Sequence, residues 1–252
     1  MPVANRNGIA FHLQELGEGG PPVVMLHGLL IGSLATWYFT AAPTLAKKHR
    51  VLLYDLRGHG KSERAKTGYD LATMQVDLEA IVAGFTTEPV TLVGHSYGAV
   101  VALRYALAHP SKVAKLALVE APLPPSNLAE LDAFLGRSPE AMADALPEVL
   151  RDALGRKGRQ ATKLVESLRF LATESSLFAD LARAEDVDDA SLASLRCPLL
   201  CVYGTHSSCL PVGRRLARLV PKARFVELEG GHFLPIEAAG VLGATLEEFV
   251  DG

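Results

Sequence analysis

Cysteine is scarce, long apolar runs are missing, and neither sign of charge dominates this chain. Its 252 residues include three cysteines, Cys197, Cys201 and Cys209. That is too few for a disulfide framework, and their spacing fits no zinc pattern that a paired His or Cys set could complete. They read as free thiols in a reducing compartment. No apolar run approaches the roughly 20 residues that a bilayer-spanning helix needs. The stretch Met1–Gly8 is polar and carries no apolar signal core, so the expected location is the cytoplasm. With 25 basic and 28 acidic residues the formal net charge is −3. No basic stripe calls for nucleic acid, and no polybasic segment calls for an anionic membrane. Internal repeats and low-complexity tracts are also missing.

What is present is a core. Hydrophobic residues make up 49% of the chain and charged residues 21%, the balance of a globular protein. The length suits one large α/β domain, with room for an insertion. Short runs rich in Val and Leu, bounded by Gly, Pro or polar residues, read as buried strands: Val23–Leu26, Val51–Tyr54, Val90–Val93, Leu116–Val119, Leu199–Tyr203 and Phe225–Leu228. Ile9–Leu16 reads as an earlier, more exposed strand near a sheet edge. Helical patterns fall between them, at Trp37–Lys48, Leu71–Phe85, Tyr97–Ala108, Val212–Val220 and Ile236–Val250. Such alternation predicts a mostly parallel, doubly wound sheet with helices on both faces.

The rhythm breaks over residues 122–187. This stretch opens on Pro122-Leu123-Pro124-Pro125, and it holds helix-like segments at Leu128–Leu135, Pro139–Leu154, Ala161–Leu171 and Leu177–Ala184. Leu164, Val165, Leu168 and Leu171 keep the spacing of one helix face. The expected organisation is a core of residues 1–121 and 188–252, with 122–187 inserted as a helical cap.

Chemistry-bearing residues cluster at predicted strand ends. Gly94-His95-Ser96-Tyr97-Gly98 matches G-x-S-x-G between a strand and a helix. In that context the glycines relieve a tight turn that lifts a serine hydroxyl above the sheet as a nucleophile. Backbone amides and the helix dipole there favour negative charge. His27-Gly28-Leu29-Leu30 follows the strand Val23–Leu26. Its backbone N–H at Leu29, or else at Leu30, could join that of Tyr97 as an oxyanion hole. The His27 side chain reads as a brace for this loop. Gly230-Gly231-His232-Phe233 follows the last strand, and an imidazole is the suitable general base near neutral pH. Gly58-His59-Gly60-Lys61-Ser62 hints at a phosphate loop. The Walker spacing requires glycine at position 55, which is Asp55, so a structural turn through Asp55–Arg57 or backbone hydrogen bonds is expected instead.

Taken together, H-G-L-L, D-x-R-G-H-G-x-S, G-H-S-Y-G and G-G-H-F resemble the α/β-hydrolase superfamily in kind, order and position, over essentially the whole chain. The resemblance implies a Ser96 nucleophile and a His232 base. It does not name a substrate, because this fold hosts esterases, thioesterases, C–C hydrolases, dehalogenases and lyases. Relatives of the dehalogenase and epoxide hydrolase kinds carry aspartate at the Ser96 position.

One departure stands out. Most relatives place the triad acid after the strand that here is Leu199–Tyr203, in a pattern like G-x-x-D. This chain reads Gly204-Thr205-His206-Ser207, with serine where the aspartate is expected. Some members, including certain polyketide-releasing thioesterases, carry the acid at the end of the preceding core strand. That position here is Glu120, at the carboxyl end of an apolar strand, where a parallel sheet gathers its site. Glu120 is therefore the expected acid. Asp186, Asp188, Asp189, Glu227, Glu229 and Glu237 are competing carboxylates, and an acid-free dyad is a further alternative.

The expected reaction is hydrolysis of a carboxylic ester or thioester through a Ser96 acyl-enzyme. Leu30, Phe134 and Leu210 are expected to line an acyl pocket. No metal or organic cofactor is implied, and a thioester substrate would allow an acyl-carrier partner. C–C hydrolysis or a lyase reaction on the same residues is the alternative, and a ligand-binding protein without catalysis is the alternative from another class.

Overall fold

The computed structural model describes residues 3–123, 137–138, 141, 151 and 159–252. Eight strands form one sheet in the order β1-β2-β4-β3-β5-β6-β7-β8. They are β1 (Val3–Arg6), β2 (Ile9–Leu16), β3 (Pro22–Leu26), β4 (Arg50–Tyr54), β5 (Val90–His95), β6 (Val113–Val119), β7 (Leu199–Gly204) and β8 (Arg224–Leu228). β1 pairs antiparallel with β2 and β2 antiparallel with β4, and the remaining five pairings are parallel. The doubly wound architecture expected from the alternating pattern is thus present. β1 escaped the sequence reading because Val-Ala-Asn-Arg offers only four residues and a single β-branched one.

The central parallel strands are largely apolar on both faces because both faces are covered, while β8 at the sheet edge exposes Arg224 and Glu227. Side-chain alternation divides them between two cores. Val24, Leu26, Leu52, Tyr54, Leu92, Leu116, Leu118, Cys201 and Tyr203 face one layer. That layer holds Met74 and Leu78 of the helix Leu71–Phe85, Val100 and Leu103 of the helix Tyr97–Ala108, and Leu216 of the helix Leu210–Leu219. Val23, Met25, Val51, Leu53, Val93, Ala117, Leu200 and Val202 face the other layer, against Trp37, Leu45, Leu242 and Leu246.

Proline and loop geometry split two expected helices. Trp37–Lys48 becomes Ala35–Tyr38 and Ala42–Leu45, with Pro43 in the first turn of the second piece, where a missing N–H costs nothing. The C-terminal pattern becomes Leu234–Glu237 and Ala239–Asp251. In the inserted stretch, the helix Arg159–Arg169 runs into a π-helical turn, Phe170–Glu174, followed by Leu177–Leu181. Two contacts tie this part to the loop after β4: Ser176 N–H donates to Lys66 O at 2.8 Å, and Tyr69 N–H donates to the Asp180 carboxylate at 3.1 Å. Leu128–Leu135 and most of Pro139–Leu154 lie outside the described residues.

The sheet order reverses at β3. The chain passes from β3 to β4 on one side and returns to β5 on the other. Crevices form at such a switch point, outside the carboxyl ends of the strands. The loops after β3 and β5 flank it, and these are the loops that carry Leu29 and Ser96.

The turn after β4 is anchored by a buried ion pair. Arg57 Nε and Nη2 reach the two Asp77 oxygens at 2.7 and 2.8 Å, and both side chains are almost fully buried. Arg57 Nη1 also donates to Thr67 O at 2.9 Å. Removing one partner leaves a buried charge unpaired. Arg57→Met is therefore expected to cost about 3–5 kcal/mol, read as a lowered urea midpoint at unchanged m-value.

Candidate active site

Ser96 occupies the turn between β5 and the helix Tyr97–Ala108. Its backbone lies at φ 53° and ψ −127°, in strained space for a residue with a side chain. The flanking glycines permit this. A Cβ on Gly94 would stand 2.4 Å from Ala99 Cα, and one on Gly98 would stand 2.4 Å from His27 O. Ser96 N–H donates to Val119 O at 2.9 Å, which pins the turn to β6. Ser96 sits at the N-cap position but spends no side-chain hydrogen bond on the cap. Its Oγ is directed instead to His232, whose Nε2 lies 2.9 Å away.

The other ring nitrogen, Nδ1, lies 3.2 Å from Glu120 Oε2. Glu120 follows β6, has φ 56° and is fully buried. Burying a carboxylate is costly unless donors meet it. Here Gly204 N–H donates to Oε1 at 2.5 Å, and the Ser207 hydroxyl donates to Oε2. Glu120 N–H donates to Val202 O at 3.0 Å, so β7 holds the backbone as well. The serine that stands at the expected aspartate position thus solvates the glutamate.

The competing carboxylates are engaged elsewhere. Asp186 and Asp189 pair with Arg215, and Asp188 caps the helix Asp189–Ala193. Glu227 pairs with Arg214, and Glu229 with His206. Glu237 accepts from Gly231 N–H at 2.6 Å and so shapes the His232 loop without reaching the imidazole.

Burial works against a charged His232 ring, but contacts with Cys209 and the Glu120 carboxylate outweigh it and hold the imidazole up at about 9. That favours the imidazolium which proton uptake from a serine would create.

The loop after β3 is shaped by two buried histidines, each used as a backbone acceptor. Leu56 N–H donates to His27 Nε2 at 3.0 Å, and the His27 Nδ1–H side faces Gly28 O at 2.7 Å. His27 is therefore the brace that the sequence suggests. Leu30 N–H donates to His59 Nε2 at 2.9 Å, and His59 Nδ1 faces Arg57 O at 2.8 Å. Leu30 has φ 67° and a buried side chain, and its amide is occupied, which removes it as the alternative oxyanion donor. Leu29 N–H and Tyr97 N–H have no hydrogen-bond partner among the described residues. The loop abuts the Ser96 turn: a Cβ on Gly28 would come within 3.0 Å of Ser96 Cβ. Of the two roles expected for the turn after β4, the structure shows the backbone one: Asp55 accepts from Leu34 N–H and Lys61 N–H and meets His12, while Arg57 turns to Asp77.

Two neighbours of His232 went unassigned in the sequence. His95 Nε2 lies 2.8 Å from His232 O, with the two rings 5.2 Å apart. Its position beside the serine was the available signal. Cys209 Sγ lies 3.8 Å from His232 Nδ1, and Cys209 N–H donates to Ser207 Oγ at 3.0 Å. Nothing in cysteine spacing could show this, because Glu120 and His232 come from distant parts of the chain. Of the expected pocket residues, Leu210 opens the helix Leu210–Leu219 and is partly buried against the core. Phe134 lies outside the described residues.

Comparison with known proteins shows the family. Residues 21–170 match the family model described as alpha/beta hydrolase fold. A protein of Variovorax paradoxus named as a carbamate hydrolase, RutD, is 31% identical over 95% of this chain and 95% of its own. The non-heme chloroperoxidase CPO-A1 of Kitasatospora aureofaciens is 25% identical over 91% of each chain. The crystal structure of the enol-lactonase from Burkholderia xenovorans LB400 superposes with a TM-score of 0.81, at 25% identity and full coverage of both chains. The chain belongs to the α/β-hydrolase fold family and is a hydrolase of that superfamily. Among the described residues, no helix is long and apolar enough to cross a membrane.

The buried histidines predict a pH effect on stability. Burial is the main force pushing His59 and His95 down to about 3. An unfolded histidine takes its proton near 6.5, so protons bind the unfolded state first. The stability these rings contribute is complete above about pH 6.5 and is lost progressively as the pH falls towards 3. Each ring adds a slope of about 1.4 kcal/mol per pH unit within that window. Urea unfolding at several pH values between 7 and 4 reads the slope, and His95→Gln should remove one ring's share.

Proposed function

We propose that the protein hydrolyses a carboxylic ester or thioester through a Ser96 acyl-enzyme. The observation that carries this reading is the continuous chain Ser96 Oγ–His232 Nε2 at 2.9 Å and His232 Nδ1–Glu120 Oε2 at 3.2 Å. In this reading His232 takes the Ser96 proton as Oγ attacks the carbonyl carbon. Glu120 fixes the ring's orientation and stabilises the imidazolium. The amides of Leu29 and Tyr97 receive the developing oxyanion. The imidazolium then protonates the leaving alcohol or thiol. Water, deprotonated by His232, attacks the acyl carbon and releases the acid.

Two relatives support acyl chemistry at a carbonyl. The enol-lactonase is named for a cyclic ester, and RutD for a carbamate. Residues 122–187 are assigned as the cap in this proposal, and Leu30 and Leu210 to the acyl side. A thioester substrate would be delivered on a small thiol or on an acyl-carrier protein. The proposed compartment is the cytoplasm.

Hydrolysis of a short p-nitrophenyl ester tests the reading. Ser96→Ala and His232→Ala should fall to background. Glu120→Gln should lose about 10⁴ in kcat, the scale seen when a triad acid becomes its amide. Folding of each variant is checked by circular dichroism. A folded Glu120→Gln that matches an active wild type removes Glu120 from the triad. A wild type no faster than Ser96→Ala, with no labelling by a fluorophosphonate, removes the serine-hydrolase reading.

A further inference from the structure

The contacts of His232 include one that acyl transfer does not need. Cys209 Sγ stands 3.8 Å from Nδ1, on the same nitrogen that faces Glu120 Oε2 at 3.2 Å. One donor atom from each of Glu120, Cys209 and His232 lies within 4.8 Å of the others. Tetrahedral zinc with ligand bonds of about 2.0–2.3 Å holds its donors roughly 3.3–3.6 Å apart; the two separations from His232 Nδ1, 3.2 and 3.8 Å, stand close to that spacing before any ion arrives, and the third is within 4.8 Å. The set is mixed, with one sulfur, one imidazole nitrogen and one carboxylate oxygen, which suits a borderline-soft divalent cation better than magnesium or calcium. Cys209 and Glu120 are buried, whereas the His232 side chain is about one-third exposed, which gives the cluster an opening to solvent.

We propose that Glu120, Cys209 and His232 form an inhibitory binding site for zinc or a similar soft divalent cation. The fourth position falls to water, as in zinc sites with three protein ligands. The proton count explains the inhibition. The Cys209 thiol gives up its proton to solvent and binds as thiolate, and Glu120 binds as carboxylate. His232 offers the Nδ1 lone pair, so the proton of a neutral ring must sit on Nε2. An Nε2–H faces Ser96 Oγ as a donor and cannot accept the serine proton. The cation also takes the carboxylate that would stabilise the imidazolium. Bound metal and the proposed general-base catalysis therefore exclude each other, and removal of the ion restores the base. This inference rests on the Ser96–His232 reading for its effect on rate, but not for the binding itself.

The test is made on the full chain, wild type and Cys209→Ser, with free Zn²⁺ set by a chelator buffer. Wild type should bind one Zn²⁺ in equilibrium dialysis and lose ester hydrolysis in step with occupancy. Excess EDTA should restore the rate. With Co²⁺ in place of zinc, a thiolate-to-metal charge-transfer band should appear in the near ultraviolet. Cys209→Ser should lack the band, and its half-inhibition should move up by about tenfold or more, the scale at which even outer-shell changes weaken metal sites. His206→Ala serves as control for the exposed His206–Glu229 pair and should behave as wild type. No bound zinc, no thiolate band in wild type, or equal inhibition of wild type and Cys209→Ser would overturn the proposal. A wild type that binds Co²⁺ with the thiolate band but hydrolyses no ester would retain the site and fail the esterase reading.

Discussion

A carboxylate with no exposure to water, at the end of a β-strand, is the constraint around which this site is arranged. Glu120 is fully buried, and its backbone takes a left-handed conformation as the chain leaves β6. An isolated ionised carboxylate there would cost several kcal/mol. Three groups answer it: the Gly204 amide, the Ser207 hydroxyl and the His232 ring. Two belong to β7 and the loop after it, and the third to the loop after β8. The carboxylate therefore binds successive strand ends into one surface. Cys209 adds a fourth link, through its amide to the same Ser207 hydroxyl.

The opposite wall of the crevice follows a related logic with neutral groups. His27 and His59 accept backbone amides from neighbouring loops, so imidazole nitrogens stand in for the carbonyls that a sheet would provide. Buried backbone amides need acceptors, and loops beyond a strand end cannot find them in a ladder. Burial keeps His59 neutral, and a neutral ring is what an accepting nitrogen requires. Among the described residues the Leu29 amide has no partner, and its neighbour Gly28 packs against Ser96, which suits the loop after β3 to the proposed oxyanion hole.

Much of this was legible in the sequence, because strand length, apolar bias and glycine placement are local properties. β3 to β8 and the strand-to-helix turn at Ser96 follow from them directly. Glu120 could be singled out because some relatives carry an acid at that strand end and because Ser207 stands where a carboxylate was expected; its 3.2 Å approach to His232 belongs to the fold. Other features were set by tertiary contact. The pairing of Arg57 with Asp77 instead of Asp55 depends on how the helix Leu71–Phe85 packs against the turn. The approach of Cys209 to His232 depends on two loops meeting across β7 and β8. No periodicity within either segment carries that information. The sequence puts Leu30 second to Leu29 as an amide donor, and the His59 ring that takes the Leu30 amide comes from a different loop.

The division of labour between Glu120 and Ser207 bears on how such a site can diverge. With the carboxylate supplied from β6, the loop after β7 contributes a hydroxyl and a backbone amide. Neither demands a particular side chain at Thr205, His206 or Ser208, and Thr205 and His206 are exposed. The most constrained atom thus sits on the most constrained element, a central strand held on both sides. Variation can accumulate in the neighbouring loop without disturbing the hydrogen bonds from Ser96 to His232 and from His232 to Glu120. Under the proposed reaction, selection for a new acyl group could reshape that rim while these contacts are inherited unchanged.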